Sequence, residues 1–227
     1  MANRLLVCAA TLMELKTFLR EGEFTEIDET RTSSVSGGLA VAVTGVGIPC
    51  TLLRLPPMLA LYNPDLVLNI GIAGAYPNSG FAVGDVAMAR SETIGDIGFE
   101  LPFEPGFQAI AEAPFGRFYG KLRMTLAAPF QAGNAGSFAV ETDGCTVNAC
   151  TGTLRTGLMR EALFGVGIES MEGAAVALVC EAAGVPACEL RAISNVAADR
   201  NMLSENIGLA LGRLRDHLQA CRDREGI

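Results

Sequence analysis

Two stretches of the chain are the most informative about its fold, Glu169-Ser170-Met171-Glu172-Gly173-Ala174-Ala175 and Arg191-Ala192-Ile193-Ser194-Asn195. The first places the carboxylate of Glu172 at the start of an apolar helix that continues through residues 176–180. The second ends a buried strand, predicted over residues 186–193, on a small polar pair. Ligands in open α/β sheets bind beyond the carboxyl ends of the strands, where both stretches are expected to lie. A carboxylate there can hold two sugar hydroxyls and an amide can bind a purine edge, as a nucleoside pocket requires.

Short apolar runs alternate with helical patterns along the chain, which indicates a mostly parallel sheet covered by helices. The predicted strands cover residues 5–10, 39–44, 65–72, 83–90, 145–150, 166–168 and 186–193. The predicted helices cover residues 12–20, 49–62, 154–163, 171–183 and 204–222, and Pro56 and Pro57 are expected to bend or break the second. Residues 100–143 have weak periodicity, and we expect loops and outer strands over the pocket. Residues 1–227 are expected to form a single α/β domain.

Composition narrows the possible partners. Half of the residues are hydrophobic and 19% are charged, which suggests apolar surface buried between subunits of a homodimer or higher homo-oligomer. A formal net charge of -8 argues against nucleic-acid binding, which needs a basic face. No apolar run approaches the ~20 residues that cross a bilayer, so no membrane partner is expected.

Cysteine and histidine usage narrows the chemistry. The seven cysteines include no Cys-x-x-Cys pair, and we interpret them as reduced core thiols of a cytoplasmic protein. The start of the chain lacks a signal-peptide pattern. The single histidine, His217, lies in a C-terminal amphipathic pattern and is expected to be a solvated helix residue. With a single histidine, the sequence offers few of the residues that metal sites and Ser-His catalysis require.

These stretches resemble the purine nucleoside phosphorylase and nucleosidase superfamily. Its nucleosidase branch carries a Met-Glu-Ala-Ala-like helix start and an Arg-Ala-Ile-Ser-Asp-like strand end, which residues 171–175 and 191–195 match. Within the superfamily the chain is most similar to the futalosine hydrolases, through residues 171–175, 193–195 and Thr146-Val147-Asn148-Ala149-Cys150-Thr151-Gly152-Thr153. The similarity runs through most of the chain and is weakest over residues 100–143.

The resemblance implies a three-layer α/β/α sandwich with a central mixed, partly barrel-like sheet. It also implies hydrolysis of the N-glycosidic bond of a 6-oxopurine nucleoside, with no cofactor and no metal. Such cleavage produces an oxocarbenium-like sugar and a departing base. The enzyme therefore needs a ribose anchor, a group that binds the base and a general base.

Glu172 is the candidate ribose anchor. Its carboxylate can accept hydrogen bonds from the 2'- and 3'-hydroxyls, and its charge favours the developing cation. The alternative is a helix-start acid that only complements the helix dipole, worth ~0.3–1 kcal/mol. Met171, next to it, is expected to pack under the sugar or base, although a methionine there is also a common core residue.

Asn195 is the candidate catalytic group that binds the base, at a position where the adenine-specific nucleosidases carry Asp. Hypoxanthine and guanine offer O6 and N7, both acceptors before cleavage. An Asn amide can donate to O6, while its carbonyl accepts from N7 once that atom is protonated. Asn195 therefore favours a 6-oxopurine. The alternative is an ordinary strand-end or helix-cap Asn.

Glu14 is the candidate general base, because the nucleosidases resembled here have a Glu at a similar place after the first strand, where it activates water. The alternative is a surface helix acid. The resemblance also implies substrate-binding roles for Ile72, Ala73 and Gly74, in a Gly-rich turn beside the ribose, and for Thr151. Glycine in such a turn lets the backbone approach a ligand closely.

Water is favoured over phosphate as the acceptor of the sugar. The bacterial phosphorylases resembled here use a Ser in the Gly-rich turn and an Arg after the first strand, whereas this chain has Ile72 and no Arg over residues 11–14. A 6-oxopurine nucleoside phosphorylase stays an alternative, as does a non-catalytic nucleoside sensor.

The group that would contact the 5'-substituent is left open. A cation or backbone donor is expected to meet the benzoate of futalosine, and Arg117, Lys121 and Arg123 are available. Asp96 and the pair Asp199-Arg200 resemble polar positions near the pocket of the family, with roles that the sequence leaves undecided.

Overall fold

The computed structural model describes residues 4–20, 33–34, 38–112, 120–133, 138–199 and 202–226. Strands β1 to β11 are Leu5–Ala9, Ser33–Ser34, Leu39–Val43, Leu66–Ala75, Val86–Ile94, Gly98–Glu100, Phe107–Ala109, Leu122–Arg123, Val140–Thr146, Ile168–Ser170 and Ala187–Val196. Helices α1 to α5 are Leu12–Leu15, Ile48–Tyr62, Leu154–Phe164, Gly173–Ala183 and Ser204–Glu225. Among these helices of the described residues, none is long and apolar enough to cross a membrane.

Nine of the described strands form one mixed sheet. Its order is β10-β9-β5-β11-β4-β1-β3-β2, and β8 pairs with β5 beside this path. Strand β10 also pairs antiparallel with β4, so β10, β9, β5, β11 and β4 close into a ring. Strands β1, β3 and β2 continue from β4 as an open extension. The prediction of a mixed, partly barrel-like sheet is confirmed.

Helices cover both faces of this sheet. Successive side chains of a strand point to opposite faces. On β1, Leu5, Val7 and Ala9 belong to a core that α1 and α5 complete. Leu6 and Cys8 belong to a second core that α2 and α4 complete. Burial on both faces explains why these strands are continuous apolar runs rather than alternating ones, and it gives the predicted α/β/α layering.

The first helix is shorter than predicted. Residues 12–20 were expected to be helical, but α1 ends at Leu15. The amides of Thr17 and Phe18 donate to the carbonyls of Glu14 and Leu15, three residues back rather than four. This tighter winding buries both Leu15 and Phe18 against the sheet.

Pro56 and Pro57 were expected to bend or break the second helix, and they do not break it. Helix α2 runs continuously from Ile48 to Tyr62 through Pro56 and Pro57. Both prolines lie on the exposed side, while Leu55, Met58 and Leu59 are buried. Solvent can therefore satisfy the carbonyls that the missing amide hydrogens leave without a donor.

Several strand boundaries differ from the prediction. The run expected to be a Gly-rich turn after residue 72 is strand, because residues 71–75 of β4 pair with β11. Residues 145–150 were predicted to form a strand, but strand β9 begins at Val140 and ends at Thr146. Residues 140–146 pair with β5, and residues 147–153 after them form no strand. Residues 100–143 contain loops and short outer strands where they are described, as expected. The expectation that they lie over the pocket is not met, because none of the described residues in this range lines the cavity at the strand ends.

The expectation for His217 is wrong, whereas the expectation of buried cysteines holds for five of the seven and fails for the exposed Cys50 and the half-buried Cys150. His217 is buried, and its Nε2 lies 2.7 Å from the Phe130 carbonyl oxygen. Burial lowers the pKa of this imidazole, and Arg224 contributes in the same direction, although the Phe130 hydrogen bond opposes the shift. All seven cysteines are free thiols, and five of them are buried.

Truncating the buried Leu68 of β4 should destabilise the protein strongly. This side chain is 0% exposed, so Leu68→Ala should lower the free energy of unfolding by about 2–5 kcal/mol. Urea denaturation measures the change. The matched control is Leu154→Ala at the 56% exposed start of α3, which should cost no more than about 0.5 kcal/mol. Equal losses in the two variants would contradict this core.

Candidate active site

A cavity of about 320 Å³ opens where strands β1, β4, β10 and β11 end. All eight residues predicted for the site line it, namely Glu14, Ile72, Ala73, Gly74, Thr151, Met171, Glu172 and Asn195. They come from the exit of β1, from β4, from the turn after β9, from the junction of β10 with α4 and from the end of β11. The ring of strands brings these segments together, although they are far apart in the sequence.

Asn195 is directed into the cavity by a β-bulge. The register of β11 against β4 shifts between Ile193 and Asn195, which leaves Ser194 as the extra residue. The Ser194 hydroxyl donates to Asn195 Oδ1 at 2.9 Å, and Asn195 Nδ2 donates to the Val196 carbonyl at 3.0 Å. A primary amide has two donor hydrogens and two acceptor sites, so one of each remains for a ligand.

Glu14 is buried at the first turn after β1. It is only 7% exposed, so the alternative of a surface acid is wrong. Its Oε2 accepts from the amide at 3.1 Å and the hydroxyl at 2.7 Å of Thr11, which completes a capping box. Its Oε1 accepts from the Ile72 amide at 3.0 Å. Donors from two segments thus hold the carboxylate at the cavity wall.

Glu172 stands at the N-cap position of α4, but its side chain makes no capping hydrogen bond. Its Oε1 instead accepts from the Gly47 amide at 3.0 Å, and its Oε2 lies 3.4 Å from Arg191 Nη2. Gly47 has a φ of 87°, in the left-handed region that favours glycine. The side chain therefore serves the cavity rather than the end of the helix.

Burial and charge set the electrostatics of Glu172. Burial raises the pKa of its carboxyl, while Arg191 and the Gly47 hydrogen bond lower it in part. The charges of Glu14 and Glu189 raise the pKa further. Burial therefore disfavours the ionised form of this carboxyl, and Arg191 and the Gly47 amide offset that cost in part.

Arg191 is a buried charged residue beside Glu172 to which the sequence analysis gave no role. It is almost fully buried, and its Nε donates to Glu189 Oε1 at 2.7 Å. Burial by itself would lower the pKa of Arg191, but Glu189, Glu172 and Glu14 outweigh it and raise the pKa. A Cβ on Gly71 would lie 2.5 Å from both Arg191 Nη1 and Glu14 Oε1, so glycine leaves the room these groups occupy. The sequence signal was two charged residues, 189 and 191, at alternate positions of an apolar strand.

Thr151 is fixed by a second buried acid, Glu169. The Thr151 amide donates to Glu169 Oε1 at 2.7 Å, and its hydroxyl donates to Glu169 Oε2. The Tyr76 hydroxyl at 2.9 Å and Arg160 Nη1 at 3.0 Å also donate to Glu169 Oε2. Because both donors of Thr151 are used in this way, it can offer a ligand its hydroxyl only as an acceptor.

Asp96 does not line the cavity but fixes the turn that does. Its carboxylate accepts from the Ala149 amide at 3.0 Å, from Asn148 Nδ2 at 3.1 Å and from the Asn148 amide. These bonds hold the segment that carries Cys150 and Thr151. The role that the sequence left undecided is therefore structural support.

The other positions left undecided lie outside the cavity wall or outside the described residues. Lys121 Nζ lies 3.0 Å from Asp143 Oδ2 at the surface, and Arg123 is exposed on β8. Asp199 is exposed after β11. Arg117 and Arg200 are not among the described residues.

Comparison with known proteins gives consistent results. A futalosine hydrolase of Thermus thermophilus is 30% identical over 195 residues, which cover 83% of this chain and 83% of that protein. A futalosine hydrolase of Streptomyces coelicolor is 35% identical over 156 residues, which cover 67% of this chain and 63% of that protein. The native structure of a futalosine hydrolase of Helicobacter pylori superposes with a TM-score of 0.79 at 20% identity, covering 98% of both chains. The last likeness concerns the fold alone.

A family model decides the classification. The model described as the phosphorylase superfamily matches residues 4–221, which is nearly the whole chain. The same residues contain every element of the closed ring of strands and every predicted site residue. The chain belongs to the phosphorylase superfamily.

Proposed function

We propose that this chain hydrolyses the N-glycosidic bond of futalosine, releasing hypoxanthine and leaving dehypoxanthine futalosine for menaquinone biosynthesis. One observation carries the proposal: Glu14, Glu172 and Asn195 line a single cavity of about 320 Å³. That cavity offers an acid for the ribose, an acid for water and an amide for the base. The similarity to two futalosine hydrolases at 30% and 35% identity supports the choice of substrate.

Glu172 would hold the ribose. One lone pair of Oε1 is used by the Gly47 amide, so the carboxylate keeps sites for the 2'- and 3'-hydroxyls. Its negative charge would stabilise the positive charge that develops on the sugar as the bond to the base breaks. Such a preorganised charge acts strongly in a site with little water.

Glu14 would activate the attacking water. The oxygen of the water forms the new bond to C1', and its proton passes to the carboxylate of Glu14. The electron pair of the glycosidic bond leaves with the base. Because Thr11 and Ile72 fix the carboxylate, it needs no reorganisation at the moment of reaction.

Asn195 would bind the departing hypoxanthine. The remaining Nδ2 hydrogen donates to O6. As the base leaves, N7 takes a proton from solvent water, and the remaining Oδ1 acceptor site accepts a hydrogen bond from the resulting N7–H. Ser194 and Val196 fix the orientation of the amide, so donor and acceptor each face one position of the base. Stabilising the leaving base in this way lowers the barrier to bond cleavage.

The rest of the wall suits a nucleoside with a large 5'-group. Ile72, Ala73, Gly74 and Met171 would pack against the ribose and base, and Thr151 would close the wall beside them. The wall also includes large apolar side chains from separate segments, namely Met13, Val46, Met202, Ile207 and Leu211. An aromatic ring such as the benzoate of futalosine would bury its surface against them.

Water is a better acceptor than phosphate at this wall. Glu14, Glu169 and Glu172 give it three carboxylates, which repel a phosphate dianion. The buried guanidinium of Arg191 is compensated by Glu189 and Glu172 and is not among the residues that line the cavity. A 6-oxopurine nucleoside phosphorylase is therefore the weaker reading.

We further propose a cytoplasmic homo-oligomer built from one nucleosidase domain over residues 1–227. Large apolar side chains on α2 support burial between subunits, because Leu53 is 78% exposed and Leu61 is 72% exposed. Large exposed apolar side chains such as these would be removed from water if subunits associated through α2.

Substrate profiling tests the proposed function. The purified protein should release hypoxanthine from futalosine at a rate that is unchanged by added phosphate. Inosine and methylthioadenosine should be cleaved with kcat/KM lower by at least about tenfold, because they lack the aromatic 5'-group or the 6-oxo group. Chromatography of the released bases measures all three. Phosphate-dependent release would identify a phosphorylase, and tight base binding without release would identify a sensor.

Replacing Glu14 separates chemistry from binding. Glu14→Gln keeps the size of the side chain but cannot accept a proton from water, so kcat should fall about 10²- to 10⁴-fold while KM changes little. Steady-state kinetics on futalosine give both constants. Glu181→Gln, an exposed residue of α4, is the matched control and should behave as the wild type. A rise in KM with an unchanged kcat would instead assign Glu14 to substrate binding.

Replacing Asn195 tests how the base is recognised. Asn195→Asp should shift the ratio of kcat/KM towards 6-amino purines by about tenfold or more, because the carboxylate cannot donate to O6. Competition between futalosine and its adenine counterpart measures the ratio, and thermal unfolding shows whether the variant is folded. A folded variant with the wild-type ratio removes Asn195 from base recognition.

A further inference from the structure

A second pair of acids lies behind the cavity wall. Glu92 on β5 and Glu189 on β11 come from neighbouring antiparallel strands, and both are 0% exposed. Neither belongs to the residues that line the cavity. Ionised carboxylates are rarely buried unless they are paired and hydrogen-bonded, so the two acids require partners.

Each acid has partners for only one of its oxygens. Glu92 Oε2 accepts from the Thr146 hydroxyl at 2.7 Å. Glu189 Oε1 accepts from Arg191 Nε at 2.7 Å and from Asn69 Nδ2 at 3.2 Å. Glu92 Oε1 and Glu189 Oε2 have no hydrogen-bond partner within the described part of the chain.

Both carboxyl groups flank the same small space beside Gly173. A Cβ added there would lie 2.5 Å from Glu189 Oε2 and 2.6 Å from Glu92 Cδ. Two ionised carboxylates so close together repel each other strongly. A single proton between the two unpartnered oxygens removes the repulsion and satisfies both of them.

We propose that Glu92 and Glu189 share one proton, carried by Glu92, and that this singly charged pair positions Arg191 for the reaction in the cavity. Neutral Glu92 donates from Oε1 to Glu189 Oε2. Ionised Glu189 holds Arg191 through Nε. The proton belongs to Glu92 because Glu189 is the acid in direct contact with the guanidinium, which favours its ionised form.

The electrostatics of the surroundings agree with this arrangement. Burial and the charge of Glu189 raise the pKa of Glu92 well above its ordinary range, while Thr146 and Arg191 oppose this rise. The thiols of Cys8 and Cys145 also face this cluster. Burial raises the pKa of Cys145 to about 12 and raises that of Cys8 as well, so both stay uncharged at neutral pH.

The pair acts on the cavity through Arg191 and does not touch the substrate. A guanidinium is a rigid planar fork, so a bond to Nε orients both Nη atoms. Here Nη2 lies 3.4 Å from Glu172 Oε2 and Nη1 lies 3.4 Å from the Ile72 carbonyl oxygen. Glu92 and Glu189 are therefore positioning residues for the ribose anchor.

Glutamine variants test where the proton and the charge reside. Glu92→Gln replaces a neutral donor by another neutral donor, so kcat on futalosine should stay within about fivefold of the wild type. Glu189→Gln removes the charge that holds Arg191, so kcat should fall on the order of 10- to 100-fold with a smaller change in KM. The double variant should lose at least as much as Glu189→Gln. A loss in Glu92→Gln as large as that in Glu189→Gln would overturn the assignment.

A spectroscopic measurement tests the shared proton without any turnover. In protein labelled with ¹³C at the glutamate side-chain carboxyls, the wild type should show a carboxyl signal with a protonated chemical shift at neutral pH. Glu92→Gln should lack this signal, and the exposed control Glu181→Gln should keep it. No protonated signal, or one that Glu92→Gln leaves in place, would overturn the proposal.

The two measurements also separate this inference from the proposed function, on which only its kinetic part rests. A protonated signal in a protein that does not cleave futalosine would leave the shared proton standing and contradict the futalosine assignment. Cleavage of futalosine by a protein without that signal would support the futalosine assignment and contradict the shared proton.

Discussion

The buried guanidinium of Arg191 and the carboxylates around it are the interaction on which the site depends. Glu189 forms an ion pair with the guanidinium at 2.7 Å, and Glu172 lies 3.4 Å from it. Glu14 lies beside the same glycine, Gly71, and its charge also raises the pKa of Arg191. A lone buried cation or a lone buried acid would be very costly. Together they compensate one another, and this balance keeps two acids at the cavity wall without bulk water.

The closed ring of strands is what assembles this balance. Strands β4 and β11 pair along most of their length, and β10 reaches across to β4. Arg191 of β11 is thus paired with Gly71 of β4. Glu172 lies two residues after the end of β10. An open sheet with the same strands would place β10 at an edge, away from β4. The barrel-like closure is therefore a requirement of the site as well as a feature of the fold.

Local patterns predicted the elements better than their ends. Apolar runs located β1, β3, β4 and β11, because strands covered on both faces carry continuous hydrophobic sequence. The predicted boundaries failed where the partner strand decides them, as in residues 73–75, which extend β4 beyond the predicted end because β11 pairs with them. The prediction for His217 failed for a related reason. Its amphipathic context suggested exposure to solvent, but its ring contacts the carbonyl of Phe130, which is far away in the sequence.

Motifs in the amino-acid sequence were enough to identify the residue types available for the chemistry: an acid after the first strand, an acid at the start of α4 and an amide at the end of β11. Residue type and position along a strand or helix are local properties, so motifs convey them. The contacts of Arg191, the bulge that turns Asn195 inward and the proximity of Glu92 to Glu189 became visible only in the folded chain. These depend on strands far apart in the sequence, and the energy of a buried charge is set by what the fold packs against it.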